Sequence, residues 1–116
     1  MTIKSRKIAP SPPDHLRPST ADWWRGVVST YEIEPHALRL LTAAAEAWDR
    51  CQQAREAIAI HGLVYAMGDP PRPMARPEVK IEHDSRIAFA RMLRELALDV
   101  EPPAENRPPR RPGTGV

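Results

Sequence analysis

Two stretches of this 116-residue chain decide its fold: LLTAAAEAWDRCQQAREAIAIHGL at residues 40–63 and RPEVKIEHDSRIAFARMLRELAL at residues 76–98. In both, apolar side chains recur at spacings of three and four residues, which is the period of an amphipathic α-helix. The first stretch is also rich in alanine, and small side chains let another helix approach closely. The two stretches therefore predict two long amphipathic helices.

Proline and glycine set the predicted bounds of these helices. Pro35 suits the first position of a helix and Gly62 the position after its end, which predicts a helix from Pro35 to about His61. That helix would be roughly 40 Å long at ~1.5 Å per residue. It is long for so small a domain, so we expect it to pack against a neighbouring subunit as well as its own chain. Pro77 opens the other helix, which we expect to end near Leu98.

A shorter helix is predicted before these two, from about residue 20 to residue 30. Ser19 is a suitable N-cap, and Asp22 follows it at the spacing of a capping box. Trp23 and Trp24 point about 100° apart on such a helix. We place Trp23 in the core and leave Trp24 open between the core and a neighbouring subunit.

Between the two long helices, the sequence predicts a hairpin-like finger. LVYAM at residues 63–67 favours a strand, and Gly-Asp-Pro at residues 68–70 is a turn signal. The returning segment, residues 71–74, is Pro-Arg-Pro-Met, and proline cannot donate to a ladder of hydrogen bonds. We therefore expect the second arm of the finger to be stunted.

Composition divides the chain into three parts. Residues 1–18 form a basic arm of net charge +3, residues 19–98 a body of net charge −1, and residues 99–116 a neutral tail rich in proline and arginine. Few large apolar side chains occur in the arm and tail, so we expect both to be flexible or disordered. The fold predicted is mainly α: a three-helix module with one long central helix and a short finger. A core this small is often supported by oligomerisation.

The same composition predicts a soluble cytoplasmic protein without a cofactor. The single cysteine, Cys51, excludes a disulfide framework, no zinc-ligand spacing occurs, and no apolar run is long enough to span a bilayer. Glu82, His83 and Asp84 are consecutive on a predicted helix, so they cannot converge on one metal or substrate atom. No other catalytic constellation stands out, and we predict neither an enzyme nor a metal site. The packing candidates, for the core or a subunit contact, are Trp24, Leu41, Ala45, Trp48, Phe89 and Leu93.

The order of these features resembles the P27 family of phage terminase small subunits. The resemblance covers about residues 15–103. It rests on Leu-Arg-Pro-Ser before a Trp-containing helix, Ala-Arg-Glu-Ala-Ile within the Ala-rich helix, and KIEHDSRIAFARMLRELAL at residues 80–98. It implies a non-enzymatic subunit that forms a ring, binds phage double-stranded DNA in the host cytoplasm, and presents it to the large terminase subunit, which holds the ATPase and nuclease. It also implies a two-stranded hairpin after Gly62, from which the three prolines within residues 70–73 depart.

Candidates for DNA contact follow from charge and expected exposure. Cations without base-reading geometry contact phosphates, and each contact adds to the salt dependence of binding. The first choices lie on the arm and near the first helix, and the second choices lie around the elbow before the last helix. They are Lys4, Arg6, Lys7, Arg17 and Arg25, followed by Arg72, Arg76 and Lys80.

Two alternative functions fit the same sequence. A helix-turn-helix regulator would use the short turn at residues 31–34, although the following helix begins with alanine and leucine where base contacts belong. A protein adaptor without DNA binding would use the Pro/Arg-rich tail to dock a partner. A DNA-binding assay separates the adaptor from the terminase subunit, and the size of the oligomer separates a dimeric regulator from a ring.

Overall fold

The computed structural model describes residues 10–97 and 102–104, and within them the chain is mainly helical, as predicted. The predicted disorder of the arm at residues 1–9 and of the tail at residues 99–101 and 105–116 lies outside the described residues, as does residue 98. The elements, in chain order, are α1 (Pro18–Thr30), α2 (Pro35–His61), β1 (Val64–Met67), β2 (Arg72–Ala75) and α3 (Pro77–Leu96).

The start of α1 differs from the prediction. Arg17 occupies the N-cap position and Pro18 the first turn, so Ser19 is already helical and no side chain of α1 caps the helix. A carboxylate from α2 takes that role. Asp49 accepts a hydrogen bond from the Arg17 backbone N–H at 2.9 Å and one from the Thr20 hydroxyl at 2.6 Å. Because Asp49 and Thr20 are both buried, these bonds fix the start of α1 against α2.

The bounds of α2 agree with the prediction, and α3 ends two residues earlier than predicted. Gly62 follows α2 with φ of 87°, a backbone region that a residue with a side chain enters only with strain. Ala97 follows α3 in the left-handed conformation, and its N–H bonds to the Arg94 carbonyl. Leu96 packs against the core, so α3 stops where its last apolar side chain has been covered.

The finger is a regular two-stranded antiparallel hairpin, so the expectation of a stunted second arm was wrong. Both strands have four residues, and Ala66 lies opposite Pro73. The Arg76 N–H donates to the Leu63 carbonyl at 2.9 Å, which makes Leu63 and Arg76 a hydrogen-bonded pair. Because bonded and non-bonded pairs alternate in an antiparallel ladder, Ala66 and Pro73 form a non-bonded pair. The N–H that Pro73 lacks would have pointed away from β1.

The core lies where α2 packs against α1 and α3. One cluster joins α1 to the first half of α2, and a second joins α2 to α3 through Trp48 and Phe89, whose ring centroids are 4.9 Å apart. Trp24 is 3% exposed and belongs to the first cluster, whereas Trp23 is half-buried and contacts both clusters. Trp23, which was placed in the core, packs against both clusters, and Trp24, which was left open, is the more deeply buried of the two, because α1 turns its Ala21, Trp24 and Val27 side towards α2.

An ionic contact lies between α2 and α3, around Glu82. One oxygen of this carboxylate is 3.1 Å from Arg55 Nε and 3.3 Å from Arg86 Nε, and the Cys51 thiol donates to it at 3.6 Å. Its side chain is only 19% exposed, so Glu82 belongs to the helix contact rather than to the solvated face. Burial raises the pKa of Glu82, but the two guanidinium groups outweigh it and leave the pKa below its ordinary value.

Candidate nucleic-acid interface

The cations proposed for DNA contact fall into two groups in the structure. Arg17 and Arg25 lie at the start and middle of α1, and Arg72, Arg76 and Lys80 run from β2 into α3. Lys4, Arg6 and Lys7 lie outside the described residues. Because the two groups lie on different elements, closeness in sequence does not by itself bring the candidates into one patch.

Arg17 is paired with a carboxylate of α2 and is not a free cation. Its two terminal nitrogens donate to the two oxygens of Glu56 at 2.7 and 2.9 Å, in a bidentate pair. The hydrogen bond to Glu56 raises the pKa of Arg17. A guanidinium engaged by a carboxylate in this geometry has few donors left for a phosphate. In the structure this side chain clamps the start of α1 to the last two turns of α2, which disfavours Arg17 as a DNA contact.

Arg25 and Lys80 remain exposed, each beside one carboxylate of its own helix. Arg25 Nη1 lies 2.9 Å from Asp22, and Lys80 Nζ lies 2.8 Å from Asp84. The hydrogen bond to Asp84 raises the pKa of Lys80, and the same contact lowers the pKa of Asp84. Exposed pairs of this kind contribute little to stability, so both cations can exchange the carboxylate for a phosphate at small cost.

Arg76 and Arg72 differ in how much of their charge faces solvent. Arg76 is half-buried and lies 3.3 Å from Glu78, although the two atoms do not make a hydrogen bond. The pKa of Glu78 is lowered, first by a hydrogen bond from its own backbone and then by Arg76. Arg72 is exposed on β2, and the described part of the chain shows no ion pair for it. Of the elbow cations, Arg72 and Lys80 are thus the ones open to an anion.

A polar cleft of about 320 Å³ marks the place where the basic arm leaves the body. His15 Nε2 lies 2.8 Å from Glu46, which holds the segment before α1 against the middle of α2. Arg50 also lines this cleft and is exposed. Sequence analysis did not select Arg50, because its closeness to the arm depends on a contact between residues 31 positions apart. The cleft mixes both signs of charge, so it positions the arm rather than forming an anion site of its own.

The packing candidates lie mostly inside the single chain. Five of them are buried, and Leu93 is half-buried against the second cluster. The five are Trp24, Leu41, Ala45, Trp48 and Phe89. Buried side chains have no apolar area left for another subunit. Within the described residues, the large apolar side chains that are exposed all lie between residues 60 and 81, at the hairpin end of the molecule.

The described ranges can also be compared with what a metal site and a membrane-spanning helix require. No group of three His, Cys, Asp or Glu side chains there is placed to hold a metal ion. None of the described helices is long and apolar enough to cross a membrane. Cys51 is fully buried, and its burial raises the pKa of the thiol.

Comparison with known proteins identifies no relative: no family model matches the chain, and neither a curated protein nor a solved structure matches it significantly.

Proposed function

We propose that this chain is the small subunit of a phage DNA-packaging terminase of the P27 type. In this role it is not a catalyst. It binds the packaging region of the phage genome as a ring, delivers the DNA to the large ATPase and nuclease subunit, and regulates that subunit. The resemblance of residues 15–103 to that family is the starting point for this function.

The observation that carries the proposal is the hairpin between α2 and α3. The resemblance implies a two-stranded hairpin at this place, and the three prolines within residues 70–73 made it doubtful. The chain nevertheless pairs β1 with β2 over four residues each, because Pro73 occupies a position whose N–H is not needed. The element order of a short Trp-containing helix, a long helix, a hairpin and a third helix is the order that the resemblance implies.

Charge distribution supports a DNA contact that uses the arm. The body, residues 19–98, has a net charge of −1, whereas residues 1–16 carry +2 even without Arg17, which is paired with Glu56. The arm leaves the body beside the exposed Arg50, and Arg25 is exposed on the same helix that the arm enters. A short basic segment tethered next to exposed cations contacts phosphates without reading bases.

The test is the salt dependence of double-stranded DNA binding by the full chain. Replacing Lys4, Arg6 and Lys7 together by glutamine removes three cations from the arm. Each lost phosphate contact lowers the slope of log K against log salt by about 0.9, so we expect the slope to fall by about 2 to 3. Deletion of residues 1–14 should have the same effect.

A matched variant replaces the exposed cations Arg39, Arg91 and Arg94 by glutamine, with the same change of charge. We expect its slope to stay close to that of the wild type. An unchanged slope in the arm variant would contradict the arm's role. A slope that falls only in the matched variant would favour the helix-turn-helix alternative, because Arg39 lies at the start of α2, where a recognition helix contacts DNA. Absence of DNA binding in all three proteins would favour the adaptor.

A further inference from the structure

The hairpin end of the molecule carries more exposed apolar surface than any other described part. Every residue from Ala59 to Ala75 is exposed, and the large apolar side chains among them include Ile60 at 76% and Leu63 at 59%. A two-stranded sheet with both faces in water is marginally stable by itself. Proteins rarely leave a contiguous apolar surface of this kind without a partner.

The two edges of the hairpin differ in their capacity to pair with another strand. On β1, Val64 and Ala66 belong to non-bonded pairs, so their N–H and C=O groups point outwards. Residues 62–68, Gly-Leu-Val-Tyr-Ala-Met-Gly, contain neither a charge nor a proline. Charged side chains and proline are the usual means by which proteins protect an edge strand. The edge of β1 is therefore open.

The edge of β2 is protected by these same means. Pro73 is the residue whose N–H would have pointed outwards in the middle of β2, and Arg72 places a charge beside it. Pro71 and Pro77 flank the strand. A β1 strand from another copy therefore finds no continuous row of donors on β2.

We propose that β1 pairs with β1 of a second copy of this chain, in antiparallel orientation, so that the two hairpins form one four-stranded sheet. The other segments of the chain are poor partners: residues 8–18 contain four prolines, and β2 lacks the central donor. Two uncharged strands meet at the two-fold axis without like-charge repulsion. An isologous contact of this type uses the same patch on both copies and closes on itself.

Pairing through β1 makes a specific prediction for the mass of the assembly. If the chain also forms closed rings through a separate head-to-tail surface, β1 pairing joins two such rings across two-fold axes. If it forms no ring, β1 pairing yields a dimer. In either case, loss of β1 pairing halves the mass, so the outcome does not depend on the terminase function.

The test compares Ala66→Pro with Ala75→Pro by native mass spectrometry and light scattering. Both alanines are exposed and lie in non-bonded pairs, so neither substitution removes a hydrogen bond from the hairpin itself. Ala66→Pro removes an outward donor from the edge of β1, and Ala75→Pro removes one from β2. We expect Ala66→Pro to halve the mass and raise the pairing dissociation constant at least ~10-fold. We expect Ala75→Pro to keep the wild-type mass.

A second pair of variants covers the outcome in which proline disturbs the hairpin. Ala66→Lys and Ala66→Glu each place like charges close together across the two-fold axis, so each protein alone should show the halved mass. Mixing the two should restore the full mass through opposite charges. A wild-type monomer at all concentrations, an equal loss in Ala66→Pro and Ala75→Pro, or a mixture that stays at half mass would overturn the proposal.

Discussion

The helical body and the hairpin end treat their apolar side chains in opposite ways. In the body, the apolar positions spaced by three and four residues are buried, with Leu41, Ala44 and Ala45 fully so. At the hairpin end, both strands are exposed on both faces, and β1 is apolar throughout. Helical periodicity thus identifies side chains that the chain covers by itself. An apolar strand without alternation, such as β1, leaves its side chains exposed in the single chain.

The largest effect is expected where the body's second cluster is broken. Trp48 is 7% exposed and packs on Phe89, so Trp48→Ala should lower the free energy of unfolding by about 3–5 kcal/mol. Ile60→Ala at the hairpin end, where the side chain is 76% exposed, should change the unfolding free energy by less than about 0.5 kcal/mol. Chemical denaturation of both variants checks the contrast. Equal losses would remove the distinction between the two regions.

A smaller effect is expected where α1 is fixed to α2. Asp49→Ala leaves the Thr20 hydroxyl and the Arg17 backbone N–H without their acceptor, which should cost about 1–3 kcal/mol of unfolding free energy. Asp22→Ala is the control on α1, because Asp22 is 78% exposed and bonds only across one turn. Its effect should stay within about 0.5 kcal/mol. A neutral Asp49→Ala would show that α1 is held by apolar packing alone.

The ionic contact between α2 and α3 should make stability depend on acidity. The pKa of Glu82 is lowered in the folded chain, so its contribution is complete above the ordinary value near 4.5 and is lost as the pH falls through the lower folded pKa. Glu82→Gln should lower the free energy of unfolding by about 1–2 kcal/mol at neutral pH. The stability of this variant should also fall less than that of the wild type as the pH is lowered. Thermal unfolding between neutral pH and pH 3 measures both. An identical loss of stability at low pH in the wild type and in Glu82→Gln would contradict the role of the Glu82 carboxylate in the helix contact.

The smallest effect is expected at the clamp between Arg17 and Glu56. Glu56 is 42% exposed, so solvent screens the pair, and a double-mutant cycle with glutamine at both positions should give a coupling of about 0.5 kcal/mol. The more exposed pair of Arg25 and Asp22 should give less, about 0.2 kcal/mol. A coupling above about 2 kcal/mol would mean that the Arg17 pair is shielded from water.

Local signals predicted the long helices well, because proline and glycine act on the backbone at their own positions. Pro35, Gly62 and Pro77 mark the boundaries at which the structure begins or ends α2 and begins α3. No such local signal indicates which residue pairs of the hairpin are hydrogen-bonded and which are non-bonded. Whether Pro73 blocks β2 depends on which of its neighbours pair across the turn, so the stunted arm was a reasonable but wrong inference.

The candidate site was less predictable, since its cations are sorted by contacts between distant positions. Arg17 pairs with a residue 39 positions away and Asp49 reaches back 32 positions to the start of α1. Neither spacing follows from helical periodicity. The same is true of Arg50, whose position beside the arm results from the contact of His15 with Glu46.

The most direct test of the central claim is the native mass of the full-length protein, measured by light scattering on a sizing column. A DNA-packaging ring predicts one sharp peak whose mass is many times the 13.0 kDa of a single chain. A monomer at every concentration, with or without double-stranded DNA, would contradict the ring and with it the terminase function.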